Sequence, residues 1–142
     1  MEIQLSDFTH AAFIHPQRNA DGTVGQDFPQ NRYSNSDGRP LHGHGEGPFC
    51  KFEFQSKLSG SGVYALYLAG KLSYLGECKD LHTRWGQTQI AHISPSACYR
   101  GGQITNCKLN TAIYQAAVNN QAIEVTFLQF DGSDTARKSL SK

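Results

Sequence analysis

A chain of 142 residues, 38% of them hydrophobic, holds one domain with a single core. No apolar run approaches the roughly 18 residues that cross a bilayer, and the N-terminal MEIQLSDFTHAAFIH has neither a basic start nor a continuous apolar stretch, which predicts a soluble, cytoplasmic protein with no membrane partner. The net charge of +1 alone does not mark a nucleic-acid binder, but residues 1–60 carry five Lys/Arg against seven Asp/Glu and residues 61–142 carry eight against five, so the second part is the face for an anionic partner.

Residues 15–50 are rich in Gly, Pro, Asn, Asp and His, with turn signals and no sustained period, so residues 1–47 read as an irregular N-terminal arm and residues 48–142 as the domain proper. Residues 49–55 alternate like a strand, and Gly and Ser in 57–62 make a flexible link. A β-hairpin follows, with strands over 63–68 and 72–75 joined by Ala69, Gly70 and Lys71. Residues 79–85 suit a short helix capped by Asp80, with Leu81 and Trp85 four apart. Residues 89–107 lack periodicity and read as a loop. Residues 108–120 place Leu109, Ala112, Ile113, Ala116 and Ala117 on one helical face. Strand-like alternation returns over 122–130, and a last helix begins near 135 with Ser133 or Asp134 as N-cap. The order predicts an α+β fold: a small antiparallel or mixed sheet containing a β-hairpin, flanked by helices.

Four cysteines, Cys50, Cys78, Cys98 and Cys107, form no C-x-x-C pair, which suits idle thiols in a reducing compartment. Cys98 and Cys107 flank a Gly-Gly pair, and without a second soft pair they read as buried loop anchors, not zinc ligands. His42, His44 and Glu46 alternate with glycines in a pattern able to meet a transition metal, but such a tract is more often plain loop.

The chemistry concentrates in the hairpin. Tyr64 and Tyr74 fall on adjacent antiparallel strands, and Arg84 follows one helical segment later. A phenol accepts a proton only where a cation or a metal-bound water lowers its pKa, and a guanidinium neutralises charge developing on phosphate. Phosphodiester hydrolysis uses both functions. Taken singly, each residue also has a plain explanation, tyrosine as a strand former and arginine as a solvated helix face.

The segment GVYALYLAGKLSYLGECKDLHTRW resembles the signature of the GIY-YIG nuclease family, with Gly62-Val63-Tyr64 as the first triplet, Tyr74-Leu75-Gly76 as the second and Arg84 as the arginine of the first helix. A second block, ISPSACYRGGQITNCKLN over 93–110, is similar to a loop of one branch of that family, and Gly47-PFCKF has a related look. The resemblance covers about residues 48–142. It implies a small sheet flanked by helices and an endonuclease that hydrolyses DNA, expected to be double-stranded, with magnesium and no covalent enzyme intermediate.

Residue by residue, it makes Tyr64 the general base or the group that orients the attacking water, Tyr74 its supporting phenol and Arg84 the phosphate-stabilising arginine. Family members often carry a histidine four positions after this arginine. Here that position is Thr88, and His92 is the nearest candidate for a catalytic imidazole. Lys79, Arg100, Gln103, Asn106 and Lys108 lie in or beside the two blocks as candidate nucleic-acid contacts, with Thr105 beside them.

The family's magnesium ligand is a glutamate on the last helix. Here the matching stretch, TARKSLSK over 135–142, holds no Glu, so no metal ligand is assigned, and the acid's place relative to Arg137 would fall just past Lys142. Three accounts stay open: an incomplete C-terminal helix, a degenerate homologue that binds nucleic acid without cutting it, or a substitute acid. Glu77 and Glu124 are the nearest carboxylates, and both read better as solvent-facing or paired.

Overall fold

The computed structural model describes residues 3–33 and 38–130. Within them run β1 (Thr9–Phe13), β2 (Gly62–Leu68), β3 (Lys71–Cys78), α1 (Leu81–Arg84), α2 (Ile104–Val118) and β4 (Ile123–Gln129). The strands form a four-stranded sheet in the order β1-β4-β2-β3, and every pairing is antiparallel. The α+β expectation holds, with the sheet antiparallel rather than mixed. The expected helix start near Ser133 and Asp134 lies outside the described residues.

β2 is one of two interior strands, and the first five residues of its sequence GVYALYL are buried on both faces of the sheet, which is why the strand is apolar throughout rather than alternating. The β2–β3 turn is tighter than expected. Ala69 (φ +53°) and Gly70 (φ +78°) make a two-residue connection in the left-handed region, and Lys71 already pairs with Leu68. The register Tyr64↔Gly76 and Leu66↔Tyr74 on one side, and Tyr64↔Phe127 and Leu66↔Val125 on the other, sets these residues on one face. That face meets Leu81, Trp85, Leu109, Ile113, Ala116 and Ala117 from the two helices in one continuous core.

Three expectations are corrected. The arm is not irregular throughout: Thr9–Phe13 forms β1, which closes the sheet edge beside β4 and is anchored by the His10–Glu124 hydrogen bond (Nδ1 to Oε2, 2.6 Å). The arm also feeds Ala11, Ile14 and Val24 into the core, and its Arg18 guanidinium donates to the Ala117 carbonyl in the last turn of α2 (3.2 Å). Residues 49–55 are extended with partly alternating burial, but they join no sheet. Their backbone partners are scattered: Phe49 exchanges two hydrogen bonds with Asp27, the Lys51 carbonyl accepts from Gln17 and the Phe52 N–H donates to Ala91. Finally, α2 begins at Ile104, inside the expected loop, and Pro95–Cys98 forms a 3₁₀ turn there.

The buried face of α2 explains the misplaced start. It contains two asparagines, Asn106 and Asn110, which break the apolar period, while Ala112 is only half-buried. Asn110 is fully buried. Its carboxamide oxygen accepts from the Cys50 N–H (2.8 Å), and its NH2 donates to the carbonyls of Cys50 (2.9 Å) and Ile90 (2.8 Å). One side chain thus supplies the partner that a neighbouring strand would have given to residue 50. No helix among the described residues is long and apolar enough to cross a membrane.

Replacing Asn110 by Leu keeps the volume and orphans three buried backbone groups, each worth about 1–3 kcal/mol. Urea unfolding of Asn110→Leu is expected to show a loss of about 3–5 kcal/mol. A loss under about 1 kcal/mol would show that the 49–52 segment is held by its other contacts.

Candidate active site

Each of the three signature residues is placed by a local constraint. Tyr64 stands mid-strand in β2, packed edge-on against Trp85 (5.3 Å between ring centroids, 84°) and stacked with Tyr74 of β3 (6.1 Å, 29°). Arg84 closes the short helix α1, whose start is fixed by Asp80. Its carboxylate accepts from the Thr83 N–H (2.9 Å) and hydroxyl (2.8 Å), which holds the Asp80 carboxyl below its ordinary range. Trp85, buried between Tyr64, Phe52 and Phe54, then pins the end of α1. The Arg84 guanidinium is left near the Tyr64 phenol, close enough for its positive charge to act on that phenol.

The glycines of the two triplets are space for this arrangement. A Cβ on Gly76 would sit 2.6 Å from the Tyr64 hydroxyl and 2.9 Å from Tyr74 Cε1, and one on Gly62 would meet the Phe127 ring at 2.8 Å. The phenols therefore lie over bare backbone, where any side chain would displace them.

Burial decides the state of Tyr64. Loss of water around the phenol pushes its pKa up, and this outweighs the opposing pull of the Arg84 charge. Tyr64 is thus a neutral phenol at neutral pH, a donor and orienting group and not a preformed phenolate. It is 1% exposed, while Tyr74 and Arg84 are half-buried, so the accessible part of the cluster is Tyr74 with Arg84.

Behind Arg84 stands a network with little trace in the sequence. Arg84 Nη1 donates to Asn106 Oδ1, and the Asn106 NH2 donates to Gln103 Oε1 (3.0 Å) and Gln89 Oε1 (3.2 Å). Asn106 is 3% exposed, so its carboxamide is used inside the protein and is not offered to a nucleic acid, a correction to the expected contact. Asn106 was legible as part of the GGQITNC block. Gln89 carried no signal.

Lys79, Arg100, Gln103 and Lys108 are exposed. His92 is not brought to the tyrosines by its hydrogen bond, which its Nδ1 shares with Gln87 (2.9 Å), and the charges it feels are those of Lys51, Asp27 and Arg32. Burial, helped by Lys51, holds its pKa below the ordinary 6.5. His42 is a buried anchor: its Nδ1 accepts from the His44 N–H (3.1 Å), so Nε2 carries the proton and donates to the Ala97 carbonyl (2.6 Å). Cys98 and Cys107 pack with Phe49, Ile93 and Ala97 in a second small core, as free thiols.

Among the described residues the nearest carboxylates do not fit a magnesium at this site. Glu77 pairs with Val63 on the opposite face of the hairpin from Tyr64 and Tyr74, and Glu124 is taken by His10. Among the described residues no group of three His, Cys, Asp or Glu is placed to hold a metal. No chemical step below runs through one.

Two outcomes follow. Gly76→Ala should displace the Tyr64 phenol and cost about 1–3 kcal/mol, seen as a lower urea midpoint and altered near-ultraviolet circular dichroism; wild-type values for both would show that the phenol has room to spare. Because the folded protein favours neutral His92, the unfolded chain binds that proton more readily. Stability is therefore expected to fall as pH drops below 6.5, and to fall less in His92→Asn; equal slopes would remove His92 from the balance.

No family model matches the chain, and neither a curated protein nor a solved structure matches it, so a reading of the site rests on its own geometry and chemistry.

Proposed function

We propose that the chain is an endonuclease of the GIY-YIG type that hydrolyses DNA phosphodiester bonds at the Tyr64–Tyr74–Arg84 cluster. The observation that carries this reading is the convergence of the three residues: two stacked tyrosine rings with centroids 6.1 Å apart, and beside one of them the guanidinium of a separate helix, near enough for its charge to act on the Tyr64 phenol. Structural tyrosines and a solvated arginine have no need of that meeting.

In this reading Arg84 receives the scissile phosphate. Its guanidinium has five N–H donors, and those left over from Asn106 face the non-bridging oxygens as negative charge builds on them. Tyr74, the accessible phenol, hydrogen-bonds the attacking water or the phosphate. Tyr64, neutral and buried, fixes the position of both Arg84 and Tyr74 and relays a proton only once substrate binding changes its surroundings. Exposed Lys79, Arg100 and Lys108 add sequence-independent backbone contacts. The resemblance also implies magnesium, whose carboxylate ligand would have to come from outside the described residues.

The placement of Glu77 and Glu124 away from the phenols favours a second reading, a domain of the same fold that binds nucleic acid without cutting it.

Supercoiled plasmid incubated with the protein in magnesium separates the two. Nicking is expected, with a loss of about 100-fold in Arg84→Ala and a comparable loss in Tyr64→Phe. Undiminished nicking in both variants would overturn the roles assigned. Salt-sensitive binding that weakens in Arg100→Ala or Lys108→Ala, with no nicking in any divalent metal, would establish the second reading.

A further inference from the structure

We propose that Asn106 is the positioning residue of this site: its carboxamide oxygen holds the Arg84 guanidinium against Tyr64, and Gln89 and Gln103 fix the direction in which that oxygen points. The inference rests on the reading of Arg84 as the phosphate-facing group, and it concerns a residue that the resemblance treats only as part of a loop.

Asn106 is buried, yet each of its polar groups is engaged. Its oxygen accepts from Arg84 Nη1, and its two N–H donors go to Gln103 Oε1 at 3.0 Å and Gln89 Oε1 at 3.2 Å. The guanidinium fixes which way round the amide sits. Turned over, the Asn106 amide would set its NH2 against a group that only donates, and the glutamine amides, which can present either oxygen or NH2, take the orientation that matches it. The glutamines flank the 90–102 loop, so two chain segments converge on one amide at the start of α2 and pass its direction to the last residue of α1.

The choice of an amide has a chemical consequence. A carboxylate here would hold Arg84 more strongly, but it would also neutralise the charge that a phosphodiester is meant to meet. A neutral acceptor orients the guanidinium and leaves its positive charge for the anion. The same contact keeps Arg84 beside Tyr64, where its charge opposes the effect of burial on the phenol.

The test reads Arg84 directly. In the ¹⁵N spectrum of the folded chain, Arg84 side-chain N–H signals, assigned by their loss in Arg84→Lys, are expected to be resolved and protected from exchange. Asn106→Leu should collapse them and raise the titration of the Tyr64 phenol, followed through ¹³Cζ. Asn106→Asp should keep the signals. Gln89→Ala with Gln103→Ala, which truncates one exposed and one half-buried side chain, should weaken the protection and serves if Asn106→Leu does not fold. Plasmid nicking should fall about 100-fold in Asn106→Leu, in kcat more than in KM, and about tenfold in Asn106→Asp despite the retained contact. Arg84 signals and Tyr64 titration unchanged in folded Asn106→Leu, or unchanged protection in the double glutamine variant, would overturn the proposal. If no form of the protein nicks DNA and the spectra still change as stated, the positioning role stands and the catalytic reading fails.

Discussion

Two asparagines one turn apart on the buried face of α2 carry much of what the described structure depends on. Asn110 takes the place of a missing strand for Cys50 and ties Ile90 to the same helix, and Asn106 reaches the guanidinium that ends α1. Buried carboxamides are costly unless satisfied, and here every donor on both is used. A helix with apolar residues at these positions would pack against the sheet as well. It would leave the 49–52 segment and Arg84 without a fixed place, so the polar positions on α2 specify geometry and the apolar ones supply the driving force.

That division explains how far the sequence could be read. The hairpin, α1 with its Asp80 cap, the body of α2 and β4 follow local rules, alternation or a helical period with a start signal, and local rules are visible in one chain. β1 was not visible because only Ala11 and Ala12 of its five residues are buried and its partner lies 114 residues away at Glu124. The strand expected over 49–55 had the right alternation and the wrong partners, since period alone does not reveal whether an extended segment finds a sheet edge. The start of α2 was hidden by Asn106, a polar residue buried for its contacts.

The candidate site shows the same limit. Tyr64, Tyr74 and Arg84 were identifiable through the resemblance of their triplets, while their short spacing alone is equally that of packing residues in a hairpin and a capped helix. Asn106 and Gln89 act on Arg84 across 22 residues and through another residue, and no pattern of the chain announces that. Their contact bears on the electrostatics only through Arg84, and there as the lesser of two effects. Burial raises the Tyr64 pKa, Arg84 opposes it, and the balance depends on where Arg84 is held.

The triplets that opened the functional reading are therefore statements about packing before they are statements about chemistry. Gly76 is bare so that the Tyr64 phenol can lie over β3, and Gly62 is bare because a Cβ there would strike the Leu128 carbonyl oxygen first and the Phe127 ring next. In the stacked pair that results, Tyr64 lies edge-on to Trp85 and feels the charge of the Arg84 guanidinium. A phenol so enclosed has little freedom to titrate or move by itself. Any ligand of the cluster must therefore enter from its accessible side, along Tyr74 and Arg84, and on the reading proposed above Tyr64 serves to keep those two where a phosphate would meet them.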